Sequence, residues 1–179
     1  MATKEDYLGA INKHQVREFL FSYFKLKNII GLAGPNINEY ISWCKAKGYK
    51  DIEIWENTPN VMLHQLAQLK QPVRMRFGNI LESDPDRIHT LYDLDYCCTV
   101  RHMKEHIAKF NDNFIMTFAR RITDKETIAT FFEARKEKIV STIDMINPLK
   151  HTIFKTSKST YIYVPYRDTS NMFCIAKIN

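Results

Sequence analysis

The chain of 179 residues reads as an α/β protein with a doubly wound, mostly parallel sheet, helices on both faces and a C-terminal antiparallel hairpin. Three observations predict this. Short apolar runs alternate with helix-length amphipathic segments from residue 28 onward, the pattern of βαβ crossovers. Glycine, proline and asparagine punctuate the joints. After residue 147 the alternation stops, and three strand-like runs follow one another with no helix between them.

Each element has its own reason. Residues 4–27 carry Val16, Phe19, Leu20, Tyr23 and Phe24 at helical spacing, an amphipathic helix to lay against a sheet. Residues 28–33 form a continuous apolar run ending at Gly34-Pro35, a strand buried on both faces. Asn36 with Glu39 three residues on resembles a capping box, opening a helix that stops at Gly48. The unit repeats: strand 51–55, helix 59–69, strand 73–77, a helical turn over 84–91, strand 94–100, helix 102–110 and strand 114–119. Thr123 to Glu126 is a second capping box, heading a helix of about 23 residues that ends near Asn147-Pro148. Runs 152–156, 161–166 and 173–178 are strands, the last two joined through Asp168-Thr169-Ser170-Asn171 as a hairpin.

This length suits one domain, an N-terminal helical extension (1–27) before a core (28–179). No stretch reaches the ~18 apolar residues of a membrane span, and the first residues lack a secretory h-region. Cys97 and Cys98 are adjacent in an apolar run, which suits buried thiols in a reducing, cytoplasmic setting. The net charge of +6 fits a polyanionic partner, and it is uneven. From residue 147 to 179, Lys150, Lys155, Lys158, Arg167 and Lys177 face Asp168 alone, so any polyanion-binding surface is expected there.

Ligands of such a sheet sit at the carboxyl ends of its strands. Ala33, Gly34, Pro35 and Asn36 follow the first strand, Glu56 and Asn57 the second, Gly78 and Asn79 the third, and residues 97–100 close the fourth. Glycine lets a ligand approach the backbone, and a strand-end acid can accept both hydroxyls of a ribose. Glu56 is equally a solvated acid, Asn79 a turn-former, Asn36 a helix cap and Asp93 a structural strand residue.

Here the chain resembles the class I S-adenosylmethionine-dependent methyltransferases, over residues 28–179. Ala33-Gly34-Pro35 matches the middle of the family's glycine motif, and Trp55-Glu56-Asn57-Thr58-Pro59 its ribose-holding acidic step. Phe77-Gly78-Asn79-Ile80 matches the step beside the adenine, and Tyr92-Asp93-Leu94-Asp95-Tyr96-Cys97 the fourth-strand motif. The resemblance implies S-adenosylmethionine as cofactor, bound by Ala33, Gly34, Asn36, Glu56, Asn57, Asn79, Asp93 and Cys97. It implies a methyl acceptor held over residues 95–99, with Asp95 and His102 as catalytic candidates and Thr99, Arg120 and Arg121 at the substrate rim. The departures are specific. Ile30 stands where the family has an acid for the methionine ammonium, and Leu32 and Asn36 stand where it has glycines. The alternative is therefore a methyltransferase-like domain that has lost catalysis and binds a protein or nucleic-acid partner.

Three other patterns compete. Cys97-Cys98-Thr99-Val100 is neither the Asp/Asn-Pro-Pro-Tyr of amino-group methylation nor a proline-cysteine nucleophile. His102-Met103-Lys104-Glu105-His106 fits the H-x-x-E-H zinc pattern, but its α/β setting favours a solvated helix and no metal. In the tail, Tyr161 and Tyr163 share a strand face near Lys155, Lys158 and Arg167. That face can stack on single-stranded nucleic acid as substrate-binding surface, or bury in the core or a homodimer interface.

Overall fold

The computed structural model describes residues 11–85, 87–96, 98–119, 123–166 and 172–178. The apolar runs become a nine-stranded sheet: β1 (Asn28–Gly31), β2 (Asp51–Glu56), β3 (Arg74–Phe77), β4 (Thr90–Asp95), β5 (Phe114–Ala119), β6 (Ile139–Met145), β7 (His151–Thr156), β8 (Thr160–Pro165) and β9 (Met172–Ile178). Their order is β3-β2-β1-β4-β5-β9-β8-β7-β6. The helices are α1 (Ile11–Phe21), α2 (Ile37–Ala46), α3 (Pro59–Gln68), α4 (Lys104–Lys109) and α5 (Asp124–Arg135), with 3-10 turns at Ile80–Glu82 and Val100–Met103.

The sheet corrects the expected "mostly parallel". The first five strands pair in parallel, whereas β5–β9, β9–β8, β8–β7 and β7–β6 are all antiparallel. The doubly wound pattern therefore covers only the first half. The expected hairpin is β8–β9, running from Thr160 opposite Ile178 to Pro165 opposite Phe173; residues 168–171 lie outside the described residues.

The helix of about 23 residues expected from Thr123 does not form. Helix α5 stops at Arg135, where Lys136 takes a left-handed φ of 54°, and the chain then forms β6. Residues 139–143, Ile-Val-Ser-Thr-Ile, are mostly β-branched, and their stiff χ1 angles suit a pleated strand better than a helix turn. The helix start is as expected: the Thr123 hydroxyl accepts from Glu126 N–H, and the Glu126 carboxylate returns the bond. Thr123→Ala is expected to cost about 1 kcal/mol in chemical denaturation. By contrast, Asn36 occupies the N-cap position of α2 without a side-chain cap bond.

The fourth strand also shifts. It was expected over 94–100 but runs Thr90–Asp95, in register with β1 and β5. The apolar run 96–100 misled, because Tyr96 and Val100 are buried just beyond the strand. The turn expected over 84–91 is replaced by Ile80–Glu82.

Alternation along the strands feeds two cores. On one face Ile29, Ile54, Leu91, Ile115, Ile162 and Val164 pack under Val16 and Leu20 of α1 and Ile37 and Ile41 of α2. On the other, Tyr92, Leu94, Phe114, Phe118, Tyr161 and Tyr163 pack under Ile107 of α4 and Phe131 and Phe132 of α5. Arg135, at the end of α5, donates from Nη1 to the carbonyls of Ile107 (2.8 Å) and Phe110 (2.5 Å), capping the last turn of α4. Among the described residues no helix is long and apolar enough to cross a membrane.

Candidate functional site

The carboxyl ends of β1 to β4 form one rim. After β1, Gly34 takes φ 63°, a conformation that favours glycine, and turns the chain into α2. Gln65 of α3 donates from Nε2 to the Gly34 carbonyl (2.6 Å), tying the turn to the next helix. The Gln65 Oε1 is buried beside this turn with no partner among the described residues. Ala33 packs partly into the core, and Asn36 is exposed at the turn's end.

Glu56 ends β2. Its Oε1 accepts from Thr58 N–H (2.9 Å) ahead of α3, while its carbonyl accepts from Gly78 N–H (3.0 Å) of the third rim segment. This places Glu56 between the second and third turns with its other carboxylate oxygen uncommitted among the described residues. Asn57 is exposed and accepts from the Thr58 hydroxyl (3.3 Å). The Asn79 Oδ1 accepts from Leu81 N–H (2.9 Å), so half of its amide caps the 3-10 turn, and the amide N–H₂ is its free end.

At β4 the structure departs from the expected roles. Asp93 is buried, accepting from Tyr40 Oη (2.9 Å) and forming an ion pair with Arg17. Asp95 pairs with Lys13 Nζ (2.5 Å) and lies 3.8 Å from Arg17 Nη1. Arg17 also lies over the rings of Tyr40 and Trp43 at 5.6 and 5.1 Å. Burial pushes the Asp93 carboxyl above its usual range, with Arg17 pulling it back; burial and the neighbouring Asp93 push Tyr40 well up. For Lys13, attraction to Asp95 outweighs burial and holds the ammonium charged. Neither carboxylate is thus a free group: α1 supplies counter-ions to Asp93, expected among the cofactor ligands, and to Asp95, expected to be catalytic.

Sequence reasoning missed Lys13, Arg17 and Tyr40. The available signal was two bases one helical turn apart, Arg17 falling next to the buried Val16 on the apolar face of α1.

Beyond β4, the Thr99 Oγ1 lies 2.9 Å from His102 Nδ1, which fixes the ring and leaves Nε2 outward on an exposed side chain. Thr99 itself is buried. His106 lies on the next element, its Nδ1 2.8 Å from Tyr96 Oη, and burial holds it below its ordinary value. Among the described residues no three His, Cys, Asp or Glu side chains gather to hold a metal. Cys97, Arg120 and Arg121 lie outside the described residues.

Of the readings open for the tyrosine pair, the structure takes the core over an exposed stacking surface. Tyr161 and Tyr163 share a face as expected, but α5 covers it and both are buried. Tyr161 Oη donates to Glu137 (2.7 Å) and accepts from Arg135 (3.2 Å), a core network with no surface for bases or for a second copy.

No protein-family model matches the chain, and no curated protein matches its sequence. Solved structures do match in fold. TYW2 of M. jannaschii, in complex with AdoMet, aligns with TM-score 0.58 at 12% identity, covering 99% of this chain and 77% of that one. NodS, an N-methyltransferase from Bradyrhizobium japonicum, aligns at 0.52 and 10% identity, covering 93% and 94%. Sp1610 of Streptococcus pneumoniae, assigned as a tRNA (m1A22) methyltransferase and solved with S-adenosyl-L-methionine, aligns at 0.51 and 10% identity, covering 92% and 73%. The chain has the class I S-adenosylmethionine-dependent methyltransferase fold.

In this methyltransferase fold the segments that follow the first four strands lie along one edge of the sheet. The fit to the cofactor is uneven. Glu56 and Asn79 suit a ribose and an adenine. Ile30 is buried in the core and offers nothing to an ammonium group, and no acid of β4 is free to replace it.

Proposed function

We propose that the chain is an S-adenosylmethionine-dependent methyltransferase, with nucleic acid slightly favoured as acceptor. The observation that carries this reading is Glu56, a strand-end acid held by Thr58 N–H through one oxygen and open at the other, next to Gly78 and Asn79. Glu56 would accept the ribose hydroxyls, the Asn79 amide would meet the adenine edge, and the Gly34 turn would admit the chain of the methionine moiety. The cofactor supplies an electrophilic methyl on a sulfonium. The protein's part is to position an acceptor beyond β4 and take up its proton, which His102, oriented by Thr99, would do at Nε2.

Calorimetry with S-adenosylmethionine and S-adenosylhomocysteine tests the pocket. The intact protein is expected to bind, and Glu56→Ala to weaken binding at least tenfold, since each charge-assisted bond is worth about 1.5–3 kcal/mol. A folded protein giving no heat at millimolar cofactor would sink the enzyme reading. The second reading, a binding protein on a disused methyltransferase frame, is favoured by Ile30 and by the neutralised Asp93 and Asp95. It predicts that null result, together with retained affinity for a nucleic-acid or protein partner.

A further inference from the structure

Lysines scattered along the second half of the chain converge at the pole opposite the rim. Helices α4 and α5 end there, β6 and β8 begin there, and β7 and β9 end there. The topology thereby collects Lys109, Lys136, Lys138, Lys155, Lys158 and Lys177 from four separate stretches of the sequence. Between β7, β8 and β9 lies an open groove of about 540 Å³, lined by Lys155, Thr156, Lys158, Ser159, Thr160 and Lys177. Asp112 is the one acid lining it, and it is paired with Lys177 Nζ at 3.1 Å. Glu137, the nearby acid, is occupied by Arg135, Tyr161 and Thr156. Lys155 and Lys158 are exposed, with no carboxylate partner among the described residues.

We propose that this groove and the lysines around it bind the phosphodiester backbone of a nucleic acid. The β7–β8 turn is stiff, because the Thr156 hydroxyl accepts from both Lys158 N–H (3.2 Å) and Ser159 N–H (3.0 Å). Those amides are therefore spent and cannot cradle a single phosphate as a backbone nest does. The donors left open are the exposed ammoniums of Lys155 and Lys158, with Lys136 and Lys138 exposed at the same pole, separated charges that suit a row of phosphates. The groove's exposed lysines suit a polyanion better than an apolar ligand. This pole and the methyl-transfer rim lie at opposite ends of β5, about 20 Å apart at ~3.3 Å per residue. An acceptor reaching both must therefore be an extended polymer. The inference rests on the proposed function and deepens it by assigning the surface that holds the acceptor's backbone, and it fails separately, because its test needs no cofactor.

The test is fluorescence anisotropy with a labelled single-stranded RNA of roughly 16 nucleotides, from about 50 to 200 mM salt. Lys155→Gln/Lys158→Gln is expected to weaken binding several-fold and to reduce the slope of log K against log salt by roughly 1.4, two phosphate contacts at about 0.7 each. Lys25→Gln/Lys70→Gln, an equal charge change at exposed sites elsewhere, is expected to leave the slope in place. Equal losses in both pairs, or an unchanged slope in the first, would overturn the proposal. So would equal competition by uridine monophosphate at matched phosphate, which would make this a mononucleotide site. Binding only to vesicles containing phosphatidylserine would also overturn it.

Discussion

Arg17→Ala is expected to lower folding stability by about 3–5 kcal/mol, because it leaves Asp93 buried without its counter-ion. Tyr40 Oη would keep its hydrogen bond to the carboxylate and Lys13 a weaker attraction, with Asp95 repelling it from the same strand. The loss has a pH signature. Burial already raises Asp93 above the usual carboxylate range, and removing the guanidinium raises it further. An acid with a raised folded-state pKa binds its proton more readily folded than unfolded. Its contribution is therefore present at low pH and lost as pH rises from the unfolded value of about 3.9 through the folded one. The Arg17→Ala deficit should be largest near neutrality and shrink as pH falls into the carboxylate range. Urea denaturation at several pH values measures this, and a deficit of constant size would show that Asp93 is not the group left exposed to the loss. Arg17→Ala with Asp93→Asn should cost less than the two changes summed, since one charge no longer strands the other.

Gly31→Ala is expected to cost about 3 kcal/mol through the same cluster. A Cβ at position 31 would overlap Tyr40 Oη and lie 2.9 Å from Tyr40 Cζ and 3.3 Å from the Asp93 carbonyl oxygen. Tyr40 must move, which adds overpacking of about 1–3 kcal/mol to the weakening of a charged hydrogen bond worth about 1.5–3 kcal/mol. In a Tyr40→Phe background the same change should cost less, because the nearest colliding atom is gone. Full additivity of the two substitutions in thermal or urea melts would refute the coupling.

Both predictions concern residues that a reader of the sequence would pass over. Gly31 sits inside an apolar run and looks like a weak strand residue, not a place where a helix side chain touches the backbone. Arg17 looks like an ordinary charged residue on an amphipathic helix. Asp93 reads as a strand-edge acid and, through the family resemblance, as a cofactor ligand. The motif at 92–97 was legible, but the occupant of its carboxylates was not, because α1 reaches them across about 76 residues of sequence.

The sequence by itself determined the first half of the sheet. Parallel strands buried on both faces are continuous apolar runs, and helix faces repeat every 3.6 residues, so β1, β2, β5, α2 and α3 could be read locally. It also determined the rim segments, since glycine turns and strand-end acids are local features. Only the tertiary structure decided the rest. Helix α5 gives way to β6 because a β-branched run finds β7 to pair with, and the second of these conditions lies outside the segment itself. Tyr161 and Tyr163 become core because α5 lies on them. Six lysines become one charged pole because four antiparallel strands and two helices begin or end there. Alternation tells which residues share a face; only packing tells what covers it.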